Sequence, residues 1–236
     1  MSDLPNVVVF TGSGVSAESG LLTFRDSGGL WEHYDIMEVA SIEAWKRNPA
    51  LVLDFYNKRR AQAYQVHPNE GHQAITRIQS FFGASVITQN VDSLHEKAGT
   101  RDVLHLHGEL CKVRSTLGDD FILDIGADPI QLGDLCPKGA QLRPHIVWFG
   151  EQVPNIQEAE AICSKADIFV IVGTSLEVYP AAGLIHTLPK HTEIYLVDPN
   201  TPAIYTSQTL FLIQEKASIG LPQLEITLKE RYSKYE

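Results

Sequence analysis

Short apolar runs punctuate the chain at Asn6 to Phe10, Ala84 to Thr88, Val103 to Leu106, His145 to Trp148, Ile168 to Val172, Glu193 to Val197 and Leu210 to Ile213. Polar or glycine-rich residues follow most of them, the pattern of strands buried on both faces between helical layers. Apolar residues recur at helical spacing in Ile42 to Asn48, Leu51 to Gln65, Asn69 to Phe81, Ile156 to Lys165, Ala181 to Thr187 and Ile219 to Tyr232. The alternation predicts an α/β fold, a doubly wound, Rossmann-like parallel sheet. Two stretches break the rhythm. Residues 26–68 carry two helices, and residues 111–143 are rich in Gly, Asp and Pro turns. Together they are expected to form a second, smaller inserted lobe, leaving 1–25, 69–110 and 144–236 to the large one.

At 236 residues the chain suits one such domain with an insertion better than two independent ones. Hydrophobic residues at 44% and charged residues at 20% are those of a globular protein, and no apolar run approaches the roughly 18 residues of a membrane span. The N-terminus MSDLPNVVVF enters the first strand with no room for a signal peptide, so a cytoplasmic protein is expected. A formal net charge of −10 argues against nucleic acid and acidic membranes as partners. Three cysteines, none in a CxxC pair, read as reduced thiols, and a monomer is the expected state.

Candidate chemistry begins with FTGSGVSAESGLLTFR, residues 10–25. Gly12 and Gly14 permit close backbone approach, and Ser13, Val15 and Ser16 lead into a helix whose first N–H groups are expected to point at an anion. Gly12-x-Gly14-x-x-Ala17 fits a dinucleotide fingerprint, but no second strand ending in an acidic residue follows it, and no Lys-Ser or Lys-Thr closes it as in a Walker loop. Thr88-Gln89-Asn90-Val91-Asp92 stands at another strand's carboxyl end, where open α/β sheets place ligands, although a helix N-cap explains Asn90 or Asp92 equally well. His105 and His107 end a further strand before Gly108. By alternation they share a face, and proton-transfer chemistry alone does not choose between them.

The stretch TGSGVSAESGLLTFR resembles the signature of the sirtuins, NAD-dependent protein-lysine deacylases, with Ser13 where the family usually has Ala. TQNVDSLHEKAG is similar to the second sirtuin motif. The resemblance covers nearly the whole chain and implies a site residue by residue. NAD is contacted by Gly12, Ser13, Gly14, Ser16, Ala17, Glu18, Thr23, Phe24 and Arg25, by Gln89, Asn90 and Asp92, by Gly173, Thr174 and Ser175, and by Asp198, Asn200 and Ala217. Asn90, Asp92 and His107 are catalytic, His107 as general base and NAD contact; His95 reads as structural. The acyl-lysine peptide lies along Val147, Trp148, Phe149, Gly150 and Glu151 on one side and Val178 and Tyr179 on the other, by addition to an exposed main-chain edge. Asp198 departs from the family's more usual Asn.

The implied reaction joins the acyl oxygen of lysine to the nicotinamide ribose, releases nicotinamide, and uses His107 to deprotonate a ribose hydroxyl, giving free lysine and O-acyl-ADP-ribose. ADP-ribosyl transfer to protein and a non-catalytic ADP-ribose sensor are the alternatives. FYNKRR, residues 55–60, is similar to the Tyr-x-x-Arg element of the branch that removes succinyl and malonyl groups, which assigns the distal carboxylate to Tyr56 and Arg59. On residues alone, the basic run Lys58 to Arg60 reads as a solvated face. Most sirtuins clamp the small lobe with zinc on two CxxC pairs, and these are missing: Ser115 stands near the first ligand position, and Cys111, Cys136 and Cys163 lack partners at ligand spacing. No zinc is expected. An apolar core of Phe121, Ile122, Leu123, Ile125, Ile130 and Leu132 is expected to replace it.

Overall fold

The computed structural model describes residues 4–21, 34–200, 202, 204 and 206–233, and the side chain of Asp119 is not described. Thr23, Phe24 and Arg25 lie outside these residues. The large lobe is a six-stranded parallel sheet in the order β3-β2-β1-β7-β8-β9. Its strands are β1 (Val7–Thr11), β2 (Ser85–Thr88), β3 (Leu104–His105), β7 (Ile168–Val172), β8 (Glu193–Val197) and β9 (Thr209–Ile213). Both faces are covered, which is why the central strands have no polar alternation. Val7 and Val9 pack with α5 (Glu70–Phe82) and α8 (Ala217–Tyr232) on one side. Val8 and Phe10 face α7 (Ile156–Cys163) and the 3₁₀ helix Ala181–Thr187 on the other.

The second lobe departs from expectation. Residues 108–146 hold a three-stranded antiparallel sheet, β5-β4-β6, built from β4 (Gly108–Ser115), β5 (Gly118–Asp124) and β6 (Leu142–Ile146). The apolar run from His145 therefore belongs with the small sheet, against β4, and not with the parallel one. Helices α2 (Ile36–Val39), α3 (Ile42–Arg47) and α4 (Pro49–Gln65) complete this part of the molecule, and the short α1 (Gly14–Ala17) and α6 (Leu94–Lys97) follow β1 and β2. Asn48 caps α4 through Leu51 N at 3.2 Å, and Asn69 caps α5 through Gly71 N at 2.9 Å.

The expected apolar core of this lobe does not form. Ile122, Leu123 and Leu132 are about half exposed, because β5 is an edge strand of a sheet covered on little of its surface. Only Ile130 of that set is fully buried, with Leu53 and Val113, while Ile125 packs alongside. The helices and the small sheet meet elsewhere, in a cluster of Val52, Phe55 and Tyr56 with Leu110, Ile146 and Trp148, and buried guanidiniums add to it. Arg60 is 1% exposed and ties α4 to the small sheet, its Nε donating to Leu110 O at 2.6 Å and its Nη1 to Asn57 Oδ1 at 2.7 Å. Of the basic run on α4, Lys58 alone is exposed, paired with Asp54. No described residues form a group of three or more His, Cys, Asp or Glu suited to a metal.

Candidate active site

Loops leaving the carboxyl ends of β1, β2, β7 and β8 enclose a cleft of about 1220 Å³. It lies where the chain reverses direction across the sheet between β1 and β7, the place an open α/β sheet offers a ligand. Every described residue assigned above to NAD or peptide lines it, including Ser175, Asn200, Ala217 and Val178.

Its floor is backbone against backbone. A Cβ on Gly12 would stand 2.6 Å from Thr174 Cβ, one on Gly14 2.7 Å from Gly173 Cα, and one on Gly173 2.5 Å from Val15 N. The glycines let the β1 and β7 loops interlock, and all three line the cleft. The amides of Gly14, Val15, Ser16 and Ala17 are engaged by the carbonyls of Gly173, Gly12 and Ser13, so these helix N–H groups do not point at an anion as the sequence suggested. Glu18 is also turned aside: its carboxylate accepts from Ser218 N and Oγ at 3.0 and 2.7 Å, bracing α1 against the start of α8.

The β2 loop is fixed from both sides. Gln89 Nε2 donates to Thr174 Oγ1 at 2.9 Å, and Asn90 Nδ2 donates to Ser16 Oγ at 3.1 Å, which turns the Asn90 carbonyl oxygen to other acceptor work. Asp92 accepts from Leu94 N at 3.1 Å, but the N-cap of α6 is Ser93, so neither Asn90 nor Asp92 occupies the cap position that the sequence suggested. His95 is buried against Thr11 Oγ1 at 3.0 Å, a structural position.

The two histidines of the third strand separate cleanly. His105 directs Nδ1 at Asn90 O (2.9 Å) and Nε2 at Glu96 Oε1 (2.8 Å), two groups that only accept, so both ring nitrogens donate. Burial works against that charge, but the Glu96 hydrogen bond and charge outweigh it and raise the pKa. His107 instead donates Nδ1–H to Gln89 O at 3.0 Å, leaving the Nε2 lone pair free to accept, and burial lowers its pKa. It lines the cleft, whereas His105 does not. Gly108 makes the turn possible: its φ is +81°, and a Cβ there would meet His145 O at 2.0 Å.

On the far side of His107, the main chain of 147–149 is already partly paired. Val147 N donates to His107 O at 2.9 Å and Phe149 N to Ala40 O at 2.9 Å, so the edge expected for an added peptide is less open than its sequence implied. Phe149 and Tyr179 remain 43% and 70% exposed at the rim. Deeper, Tyr56 packs on Trp148 with ring centroids 6.0 Å apart, and burial pushes its hydroxyl up to about 12. Arg59 lines the cleft beside it; burial lowers its pKa against the opposing charges of Tyr56 and Asp92. Asp198, at the end of β8, has its pKa raised by burial while its Oδ1 accepts from Asn200 N at 2.8 Å.

Lining residues with no sequence signal include Ile36, Ala40 and Val153, ordinary apolar positions, and Leu176, whose φ of +56° is the conformation a leucine least favours. Lys216, at the N-cap of α8, also lines the cleft and was missed, because the sequence pattern began that helix at Ile219.

The residues suit a dinucleotide. An interlocked glycine floor, the Asn90 oxygen, the half-buried Asp198 carboxylate and a neutral imidazole converge on one elongated space in a doubly wound fold. The chain belongs to the Sir2 family, whose pattern matches residues 12–180. It is 48% identical to an NAD-dependent protein deacylase of Bacteroides thetaiotaomicron over 227 residues, covering 94% of this chain and 97% of that one. A Helicobacter pylori protein of the same description is 47% identical, with 98% of each chain covered. Among solved structures, a complex of a Sir2 homologue with NAD superposes with a TM-score of 0.87 at 35% identity, over 96% of this chain and 90% of that one. An ADP-ribose complex of a Sir2 homologue does so equally, at 34% identity, over 97% and 93%.

Proposed function

We propose that this cleft removes acyl groups from protein lysines at the expense of NAD, giving nicotinamide, free lysine and O-acyl-ADP-ribose. NAD supplies a ribose carbon from which nicotinamide departs. The neutral His107 carries the reading. Its Nδ1–H is held by Gln89 O, so Nε2 is ready to take a proton from a ribose hydroxyl without first losing its own. Asn90, fixed through Ser16, orients the nicotinamide ribose by its free oxygen, and Asp92 supports that loop from the start of α6. The interlocked glycines carry the pyrophosphate, Thr174, Ser175, Asp198, Asn200 and Ala217 the adenosine end. The acyl-lysine peptide enters between Phe149 and Tyr179.

For the acyl group, Tyr56 and Arg59 lie one helical turn apart on α4 and both line the cleft, which supports recognition of a succinyl or malonyl carboxylate. Acetyl-lysine uses the same channel without that ion pair. Nicotinamide release measured with acetyl, malonyl and succinyl peptides tests the proposal. Turnover of all three is expected. Arg59→Met should raise KM for the succinyl peptide while leaving acetyl turnover nearly intact, because a remote carboxylate is held about equally in ground and transition states. His107→Ala should lower deacylation by about 10²- to 10⁴-fold with ADP-ribose binding preserved. Nicotinamide release that continues unchanged without an acylated peptide would instead favour ADP-ribosyl transfer.

A further inference from the structure

Between the small sheet and the acyl channel lies a charged clamp that the reaction itself does not use. Arg143, on β6 and 5% exposed, reaches across the segment 146–151 and holds both of its ends. Nη2 donates to Ile146 O at 3.0 Å, while Nη1 and Nη2 make paired bonds to the Glu151 carboxylate at 2.6 and 2.9 Å. Glu151 also accepts from Trp148 N at 2.9 Å, and its own amide returns to Trp148 O at 3.0 Å. The guanidinium carbon sits 3.5 Å from the centroid of the Trp148 ring. Trp45 and Tyr56 also pack on that indole, at centroid distances of 5.4 and 6.0 Å.

Arg143 therefore fixes the segment's backbone at both ends and the plane of its largest side chain, and Arg114 Nη2 adds longer contacts to the same two ends, 3.4 Å from Ile146 O and 3.3 Å from the Glu151 carboxylate. Lysine could replace the charge and not the geometry, since a point ammonium offers neither the fork nor a flat stacking face. The segment's third anchor is the bond from Val147 N to His107 O, so the placement of Trp148 is referred directly to the residue that carries the base. Glu151, assigned by resemblance to the peptide, has its carboxylate committed to this clamp. Burial disfavours its charge, and Arg143 with the Trp148 amide more than compensates, holding the carboxyl below the usual range.

We propose that Arg143 and Glu151 are positioning residues that set Trp148 as the wall of the acyl-lysine channel, so that they serve the peptide and not NAD. The proposal rests on the deacylase reading for its kinetic arm and on the geometry alone for its spectroscopic arm. Glu151 also pairs with Arg114 at 3.3 Å, so the test is the double variant Arg143→Met with Glu151→Gln, which removes one charge of each sign and leaves the cluster's net charge unchanged, beside Arg143→Lys. Both are made in the full chain and in a background with Trp31 and Trp45 changed to Phe, leaving Trp148 as its sole tryptophan.

The expected result for the double variant is a KM for acetyl- and succinyl-lysine peptides raised about 10- to 100-fold, the scale of an ångström-level misplacement. ADP-ribose affinity should stay within about twofold, under 0.5 kcal/mol. Trp148 emission should shift as the stacked cation is lost, and Arg143→Lys should restore only part of either reading. Equal losses for peptide and ADP-ribose, an unshifted Trp148 emission, or full recovery by Arg143→Lys would each overturn the proposal. If the double variant does not fold, Arg143→Lys carries the same measurements, with wild-type values overturning the claim. A wild-type protein that turns over no acyl peptide defeats the deacylase reading, while the emission change still decides the clamp.

Discussion

The parallel sheet and the antiparallel one both bury apolar side chains, but among the described residues only the second adds buried guanidiniums. In the first, β1 and β7 are buried along their whole length and helices cover both faces, so apolar burial does the stabilising. In the second, the edge strand β5 leaves Ile122 and Leu123 about half exposed; Leu110, Ile146 and Trp148 share an apolar cluster with Val52, Phe55 and Tyr56 of α4, and Arg60, Arg114 and Arg143 add buried bonds to carbonyls and Glu151. The cleft runs between them. The glycines of its floor belong to the large lobe, and Tyr56, Arg59 and Trp148 face it from the other side.

That contrast can be broken by mutation. Ile171→Ala, at 0% exposure in the central strand, should cost about 2–5 kcal/mol in denaturant unfolding, through lost transfer energy and the cavity left behind. Arg60→Met should cost about 1–3 kcal/mol, because the Leu110 carbonyl and the Asn57 side chain lose a buried donor. Leu123→Ser should stay within about 0.5 kcal/mol, the range of a surface change. A loss at Leu123 as large as that at Ile171 would mean that the outer side of β5 is buried after all. A neutral Arg60→Met would remove the guanidinium from its assigned role.

The smallest effect is in titration. His105 has a raised pKa, so its contribution to stability is complete below the unfolded histidine value and is lost as pH rises through the higher folded one. His107 has a lowered pKa, so protonating it favours the unfolded chain, and stability falls as pH drops below the ordinary histidine value. Imidazole NMR titrations should therefore bracket that value, His105 above and His107 below. Deacylation should lose its base only on the acid side. The reverse order would exchange the roles of the two rings.

Much of the large lobe was legible, because runs such as Ile168 to Val172 have few alternatives to a buried strand. The small sheet was not. GELCKVRS and GDDFILD mix charged with apolar residues and carry no clean period, although the first is the central strand of the small sheet and only the second an edge. His105 and His107 could not be told apart because the difference lies in the carbonyls each ring meets. Arg60 was misread as part of a solvated basic face. It falls four residues after Tyr56 and eight after Val52, on the buried stripe of α4, and that spacing was the available sign. Glu18 and Glu151 gave none, since their partners lie on other elements.

The interlocking of Gly12 and Gly14 with Gly173 has a thermodynamic consequence for whatever binds above them. Backbone already wedged between two loops has no alternative arrangements to surrender, so a ligand resting there loses little affinity to ordering its host. An alanine at Gly14 would push the loops apart against Gly173 Cα and reintroduce that entropy, weakening the dinucleotide even where no atom of the glycine touches it.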